Sequence, residues 1–279
     1  MKWTIAFDSA CDLRNFSATN SALLELIPLH IIIGEQEVVD DGSTSLESLQ
    51  EMLDGEKKKT GTTCPSVGNW QTVMEKSENV IAITLSGAVS GSYQSASIAR
   101  DIVLEEDPDK NIFVFDSVSG SGTMEFIVRE AIRLIESNHS FEEVCQGIVD
   151  FRKDSNIFFL LQNVDNLITN GRLNPIIGKA VKALKLCMLA TVSPDGTLGV
   201  IAKVRTFNKT MDKSIEEAVK RGCTGRKILI SHCLNEKGAL VLKEKLLKTF
   251  PDADIEIQRT GLICGYYAEK GGLIAAFQN

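Results

Sequence analysis

The segment LSGAVSGSYQSA (85–96) carries the residues most suited to binding a ligand. A predicted strand runs there through a loop of Gly and Ser into a predicted helix, so Ser90, Gly91 and Ser92 stand at the N-terminus of the helix. Free backbone N–H groups and the positive end of the helix dipole can hold a carboxylate or a phosphate without Lys or Arg. The segment therefore predicts an anion site, although Ser90 also fits a simple helix N-cap.

A second group of hydroxyls lies in the segment TGTTCPS (60–66). Thr62 and Thr63 are adjacent, and Pro65 biases Cys64 toward an extended backbone, which allows the loop to direct side chains into a cleft. An ordinary surface turn is the alternative interpretation. Both readings stay open on this segment alone.

Two further serines follow aspartates at the ends of predicted strands, as Asp8-Ser9 and Asp116-Ser117. In open parallel sheets, ligands bind beyond the carboxyl ends of the strands. We therefore expect Ser9 and Ser117 to lie near the same site. Each pair is equally compatible with an Asx turn that only ends its strand.

A catalytic reading assigns Ser90 or Cys64 as a nucleophile and His232 as its base, which would make the protein an acyl hydrolase. The sequence lacks the G-x-S-x-G elbow and the phosphate-binding G-x-x-x-x-G-K-[ST] loop. With three histidines, none paired at the spacing of metal ligands, we expect no metal site. His232 also suits a structural position at the end of a strand.

The elements that must position these residues form an α/β pattern. Apolar runs at 3–9, 79–86 and 111–117 predict buried parallel strands, and amphipathic helices follow the last two of them. Capping boxes at Thr44/Glu47 and Ser140/Glu143 predict the starts of two more helices.

From residue 156 the pattern changes to strands joined by a hairpin at SPDG (193–196), with helices at 209–221 and 236–249. The prediction is a two-lobed α/β protein. Its N-terminal lobe (1–155) is a three-layer α/β/α unit with a parallel sheet. Its C-terminal lobe (156–279) is an α/β unit with a mixed sheet.

Composition limits the partners. The 279 residues include 30 Lys and Arg against 37 Asp and Glu, a formal net charge of −7, which disfavours nucleic acid and anionic surfaces. The densest basic run, 57–59, is predicted to be a solvated loop. No apolar run reaches the roughly 18 residues of a membrane span, and no signal peptide is visible. Seven cysteines without a CxxC pair favour reduced thiols. We expect a cytoplasmic protein without integral membrane association.

Taken together, these motifs resemble those of the DegV family of bacterial fatty-acid-binding proteins. The likeness covers nearly the whole chain, in order and in spacing. The matching segments are DSACDL (8–13), TTCPS (62–66), VSGSYQSA (89–96), FDS (115–117), NGRL (170–173) and TGLICGYYAEKGG (260–272).

The resemblance implies a carrier without catalysis of its own and without a cofactor, its ligand a long-chain fatty acid such as palmitate held between the lobes. Thr62 or Thr63 and Ser90 would bind the carboxylate. Gly91, Ser9 and Ser117 complete the predicted ligand site. Arg172 and Tyr267 would lie at the rim, where members of this family meet a fatty acid kinase. A binder of another small anion is the remaining alternative.

Three positions differ from the family pattern. Cys64 stands in place of a glutamine, Asn170 in place of a glycine, and Tyr267 in place of a histidine. The last change affects chemistry most, because histidine can carry a positive charge whereas tyrosine at neutral pH only donates or accepts a hydrogen bond.

Overall fold

The computed structural model describes residues 2–14, 16, 19, 21–56 and 58–279. Lys57, part of the predicted basic loop, lies outside the described residues, and Lys58 and Lys59 are exposed. The strands are β1 (Trp3–Asp8), β2 (Ala22–Ile27), β3 (His30–Ile33), β4 (Gln36–Val39), β5 (Thr60–Thr63), β6 (Asn79–Thr84), β7 (Asn111–Asp116), β8 (Ser155–Leu161), β9 (Cys187–Val192), β10 (Leu198–Val204), β11 (Lys227–His232), β12 (Asp254–Arg259) and β13 (Leu273–Gln278).

Helices alternate with these strands along most of the chain. They are α1 (Leu46–Gly55), α2 (Val67–Met74), α3 (Ser92–Glu106), α4 (Ser121–Glu136), α5 (Phe141–Lys153), α6 (Asp165–Thr169), α7 (Pro175–Ala183), α8 (Phe207–Lys220), α9 (Glu236–Thr249) and α10 (Leu262–Ala268). Among the described residues, no helix is both long and apolar enough to cross a bilayer.

The N-terminal sheet has the strand order β2-β1-β6-β7, and every pair in it is parallel. Apolar side chains project from both faces of this sheet, so both faces must be covered by other elements. Trp70 of α2 and Ala96 of α3 pack with Ala82 on one face. Met124 of α4 packs with Ile83 on the other. The predicted three-layer arrangement is confirmed. The strands end one or two residues earlier than predicted.

The C-terminal sheet has the order β10-β9-β8-β13-β11-β12 and is antiparallel except for the β11–β12 pair. The predicted hairpin joins β9 to β10: the Ser193 N–H donates to the Thr197 carbonyl at 2.8 Å. Gly196 there has φ 83°, a left-handed conformation that glycine adopts without strain. The mixed sheet and the hairpin are thus as predicted.

A third sheet, β4-β3-β5, was not predicted, and it changes the interpretation of the segment 60–66. Thr62 and Thr63 belong to β5 instead of a loop, and they lie opposite Ile31 and His30 of β3. Side chains of successive strand residues point to opposite faces. Thr62 and Thr63 therefore cannot both face the same ligand atom directly.

One of the two predicted capping boxes is present. At α5 the Ser140 hydroxyl accepts from the Glu143 N–H, and the Glu143 carboxylate accepts from the Ser140 N–H. The box at Thr44 and Glu47 is wrong, because Ser45 caps α1. A serine one position later takes the role that the S/T-x-x-E pattern assigned to threonine.

Helix α4 lies between the two sheets. Besides Ile83, its residue Met124 shares a hydrophobic core with Ile157 and Ile274 of the C-terminal sheet. A Cβ added at Gly122 would approach Ala276 Cβ to 3.0 Å, so the helix contacts that sheet closely. The chain changes from one sheet to the other at β8, and a single core joins both. Division into domains at residue 155 stays a prediction.

Candidate functional site

A narrow cavity of about 120 Å³ lies where the ends of the N-terminal strands face the C-terminal sheet and α10. Its wall is almost entirely apolar, and both halves of the chain contribute to it. The apolar residues of the wall are Ala10, Leu85, Val89, Phe159, Leu161, Leu167, Val192, Leu198, Ile263, Ala268 and Ile274. Such a wall suits a hydrocarbon chain and offers it few hydrogen bonds.

Hydroxyl groups meet at one side of this cavity. The phenol oxygen of Tyr267, which lines the cavity, shares a 2.7 Å hydrogen bond with Thr62 Oγ1. The neighbouring phenol of Tyr266 shares a 2.6 Å bond with Thr60 Oγ1 and accepts from Asn170 Nδ2 at 2.9 Å. These bonds attach helix α10 to strand β5. They connect Tyr267, which lines the apolar cavity, to Thr62, which lies outside its wall.

Arg172 is the charged residue of the cavity wall. Its Nε donates to the Val89 carbonyl at 3.1 Å, and its Nη1 donates to the Asn170 carbonyl. Val89 also lines the cavity. The guanidinium is therefore held against the loop that leads into α3, and the cavity that Tyr267 lines also has a positively charged side chain in its wall.

The loop before α3 differs in detail from the prediction. Gly91 is the N-cap residue of α3, and the Ser90 hydroxyl accepts from the Ser92 N–H at 3.2 Å. A Cβ at Gly91 would lie 2.9 Å from Cys64 Sγ, so the segment after β5 packs directly against the start of α3. The structure thus brings Cys64 to Gly91 and Thr62 to Tyr267. Thr63 is exposed.

Asp8, which the sequence marked only as the end of a strand, connects three segments of this site. Its carboxylate accepts from the Ala10 N–H at 3.2 Å, the Leu85 N–H at 2.7 Å and the Ser92 hydroxyl at 2.6 Å. Asp8 is fully buried, and burial raises its pKa to about 6. Ala10 and Leu85 both line the cavity, so this carboxylate fixes part of its wall.

Of the predicted ligand residues, Thr62, Thr63, Ser90 and Gly91 are not in the cavity wall, and neither are Ser9 and Ser117. Ser9 and Ser117 are both fully buried. Ser9 Oγ accepts from the Leu29 N–H at 2.9 Å, and Ser117 Oγ donates to the Ser119 carbonyl at 3.0 Å. Buried hydroxyls need partners, and here the backbone supplies them. The Asx-turn alternative describes both strand ends, as the Asp116 carboxylate also accepts from the Val118 N–H.

Buried carboxylates also hold the start of α10, and the sequence reading missed them. Asp40 accepts from the N–H groups of Leu262 and Ile263, both at 3.1 Å. Asp12 accepts from the Gly261 N–H at 2.7 Å. A carboxylate at a helix N-terminus satisfies unpaired N–H groups and interacts favourably with the helix dipole. Asp12 belongs to the motif DSACDL, but its partner Gly261 is 249 positions away, and Asp40 lies in none of the motifs.

The hydrolase reading finds no support in the geometry. His232 is buried, its Nδ1 accepts from the Asn235 N–H at 3.2 Å, and burial lowers its pKa. Across the described ranges, no histidine lines the cavity and neither Ser90 nor Cys64 bonds to one. Within those same residues, no group of three or more His, Cys, Asp and Glu side chains could hold a metal ion.

Comparison with known proteins adds a family and solved relatives. The family model described as "Uncharacterised protein, DegV family" matches residues 2–278. A DegV domain-containing protein of Streptococcus pyogenes is 37% identical over 279 residues, covering 100% of both chains. One from Streptococcus pneumoniae is 36% identical over 280 residues, covering 100% of this chain and 99% of its own.

Two similar solved structures contain fatty acids. The Streptococcus pneumoniae Fatty Acid Kinase (Fak) B3 protein, loaded with linoleic acid, has a TM-score of 0.95 and 35% identity, covering 100% of this chain and 99% of its own. A DegV family protein from Eubacterium eligens, loaded with heptadecanoic acid, has a TM-score of 0.93 and 28% identity, covering 99% of each chain. The predicted fold class is confirmed.

Proposed function

The chain belongs to the DegV family, as its motifs predicted, and from this premise we propose that it binds a long-chain fatty acid. The observation that carries the proposal is the apolar cavity that Tyr267 and Arg172 line, with Thr62 bonded to the Tyr267 phenol. The acyl chain would occupy the apolar space. The carboxylate would lie among the hydroxyls, close to the guanidinium.

The walls supply most of the free energy of binding. Each methylene removed from water contributes about 0.8 kcal/mol, so a palmitoyl chain gains roughly 10 kcal/mol before the costs of ordering it. Phe159, Leu161 and Ile274 from the C-terminal sheet face Ala10 and Leu85 across this space. A chain between them would be covered on both sides.

The head group determines orientation. Thr62 and Tyr267 bond to each other, and a carboxylate that came between them would accept a hydrogen bond from each hydroxyl. Such bonds to a charged group contribute about 1.5–3 kcal/mol each. Ser90 and Gly91, in the loop that Arg172 contacts through Val89, complete the proposed head-group residues. Thr63 is exposed and points to the face of β5 opposite to that of Thr62, so it is left out of the proposed contacts.

We further propose that the protein is a carrier that presents its ligand to a fatty acid kinase and performs no catalysis. The name of the pneumococcal relative supports the partnership, and the bonding of His232 away from the cavity supports the lack of catalysis. Arg172 and Tyr267 would be the residues nearest the partner. Tyr267 replaces the histidine of the family pattern, so its phenol would bind the presented carboxylate through a neutral hydrogen bond.

Extraction of the purified protein under denaturing conditions, followed by mass spectrometry, tests the proposal. We expect a long-chain fatty acid in the extract, and a rise in melting temperature when palmitate or oleate is added to delipidated protein. A short phosphate or carboxylate in its place would identify a different anion binder. Neither an acyl chain nor a thermal shift would refute the proposal, and ester turnover lost in His232→Ala would establish a hydrolase.

A matched pair of variants locates the ligand. Val192 and Val200 are half-buried valines on adjacent strands of the same sheet, and only Val192 lines the cavity. Val192→Trp should fill the space and abolish the thermal shift. Val200→Trp should keep it. If Val192→Trp kept the same thermal shift as Val200→Trp, the ligand would bind elsewhere.

A further inference from the structure

We infer that Asp8 is a positioning residue for the head group: it holds both ends of the loop that carries the carboxylate contacts. This inference rests on the proposed function. The loop runs from Leu85 to Ser92 and contains Ser90 and Gly91. Asp8 Oδ2 accepts from the Leu85 N–H at 2.7 Å, at the start of the loop, and from the Ser92 hydroxyl at 2.6 Å, at its end.

The middle of the same loop is held by a second strand-end carboxylate. Asp116 accepts from the Gly87 N–H at 3.1 Å, and Ser86 Oγ donates to the Gly196 carbonyl at 2.8 Å. Gly87 is exposed, whereas Leu85 lines the cavity and Ser92 is fully buried. Asp8 therefore bonds to the loop at its two buried ends, Leu85 and Ser92. These bonds fix the orientation of the loop relative to the cavity.

Only a carboxylate satisfies the donors that converge at this position. Asp8 Oδ1 accepts from the Ala10 N–H while Oδ2 accepts from Leu85 and Ser92, so both oxygens are used. An amide has one oxygen, and its NH₂ group would face a backbone N–H. Asp8→Asn therefore leaves at least one backbone N–H, that of Ala10 or that of Leu85, without an acceptor. The segment that carries this N–H is then no longer held by residue 8.

Within the described part of the chain, Asp8 forms no ion pair with a cation. Asp40, whose like charge repels that of Asp8, is itself paired with Arg14, and Asp116 bonds to its own turn. A fully buried carboxylate that has no cation beside it is costly, so hydrogen bonds must hold it. All three of those bonds go to the cavity wall or to the head-group loop. Because all three bonds go to the site, Asp8 positions the head-group loop and does not merely stabilise the fold.

The test separates the head group from the chain by comparing palmitate with hexadecanol, which has the same chain length and no charge. Wild-type protein should bind palmitate more tightly than hexadecanol. Asp8→Asn and Ser92→Ala should lower the affinity for palmitate about 10-fold while changing that for hexadecanol less than about 2-fold, because one charge-assisted contact is misplaced. Ser92→Thr, which keeps the hydroxyl, should restore the preference.

Glu125→Gln is the matched control. Glu125 is another fully buried carboxylate, bonded to Arg129 and Gln258, and it does not line the cavity. The variant Glu125→Gln should be less stable than the wild type, and the ratio of its affinities for palmitate and hexadecanol should be unchanged. If Asp8→Asn does not fold, Ser92→Ala decides the question. Equal losses for both ligands, or an unchanged ratio, would refute the positioning role, whereas wild-type protein that binds neither ligand would refute the proposed function instead.

Discussion

The burial of Asp8 predicts a measurable pH dependence of stability. Its pKa is raised from 3.8 to about 6 in the folded protein, so the folded state keeps a proton at pH values where the unfolded chain has lost it. This contribution to stability is full below pH 4 and is lost as the pH rises through 6. The whole effect is about 3 kcal/mol, and about 1 kcal/mol of it falls between pH 7 and pH 5.

Urea unfolding of wild-type protein and Asp8→Asn at pH 5, 6 and 7 measures this effect. Burial also raises the pKa of Asp12, Glu125 and Glu269, but these groups titrate in both proteins and cancel in the difference. Relative to the variant, the wild type should gain about 1 kcal/mol on going from pH 7 to pH 5. Parallel pH profiles would show that Asp8 ionises normally in the folded state, and the argument from its burial would fail.

Three further changes should separate ligand binding from stability. Tyr267→Phe removes the phenol that bonds to Thr62 and should weaken palmitate binding about 10-fold in a titration, with little loss of stability. Gly261→Ala would place a Cβ on the Arg14 guanidinium, which must then move from its place beside Asp40, and should lower the free energy of unfolding by about 1 kcal/mol or more in urea. Ser140→Ala removes the cap of α5 and should cost about 1 kcal/mol in the same assay while palmitate affinity stays unchanged.

The features of the fold that depend on neighbouring residues could be predicted from the sequence. Helix α9 has the predicted bounds Glu236–Thr249, and the hairpin turn at SPDG lies where Gly and Pro indicated it. These features depend on neighbours within a few positions. The segment 60–66 could not be predicted in this way, because β5 is a strand only through its pairing with β3, about thirty residues earlier. Its short polar run has no strand signal of its own.

The site was predictable as a set of motifs and less so as a set of contacts. The hydroxyl-bearing segments gave Thr62 and the loop at Ser90, and the resemblance added Arg172 and Tyr267. Ser9 was placed in the ligand site because strand ends collect ligands, whereas its hydroxyl is used by the backbone of Leu29. Whether a serine at such an edge faces a cavity or the interior depends on the rotation of its strand relative to the next segment, which no local pattern records.

The buried aspartates explain why so much of the site depends on the whole chain. Asp12 and Gly261 bond across 249 positions, and Thr62 and Tyr267 across 205. Both bonds end on or beside α10, a helix of 7 residues that is too short to be stable alone in water. Its direction must therefore come from the partners at its two ends. Asp12, from the turn after β1, and Asp40, which follows β4, hold its start, whereas β5 holds its tyrosines. The cavity wall between them follows from these two attachments.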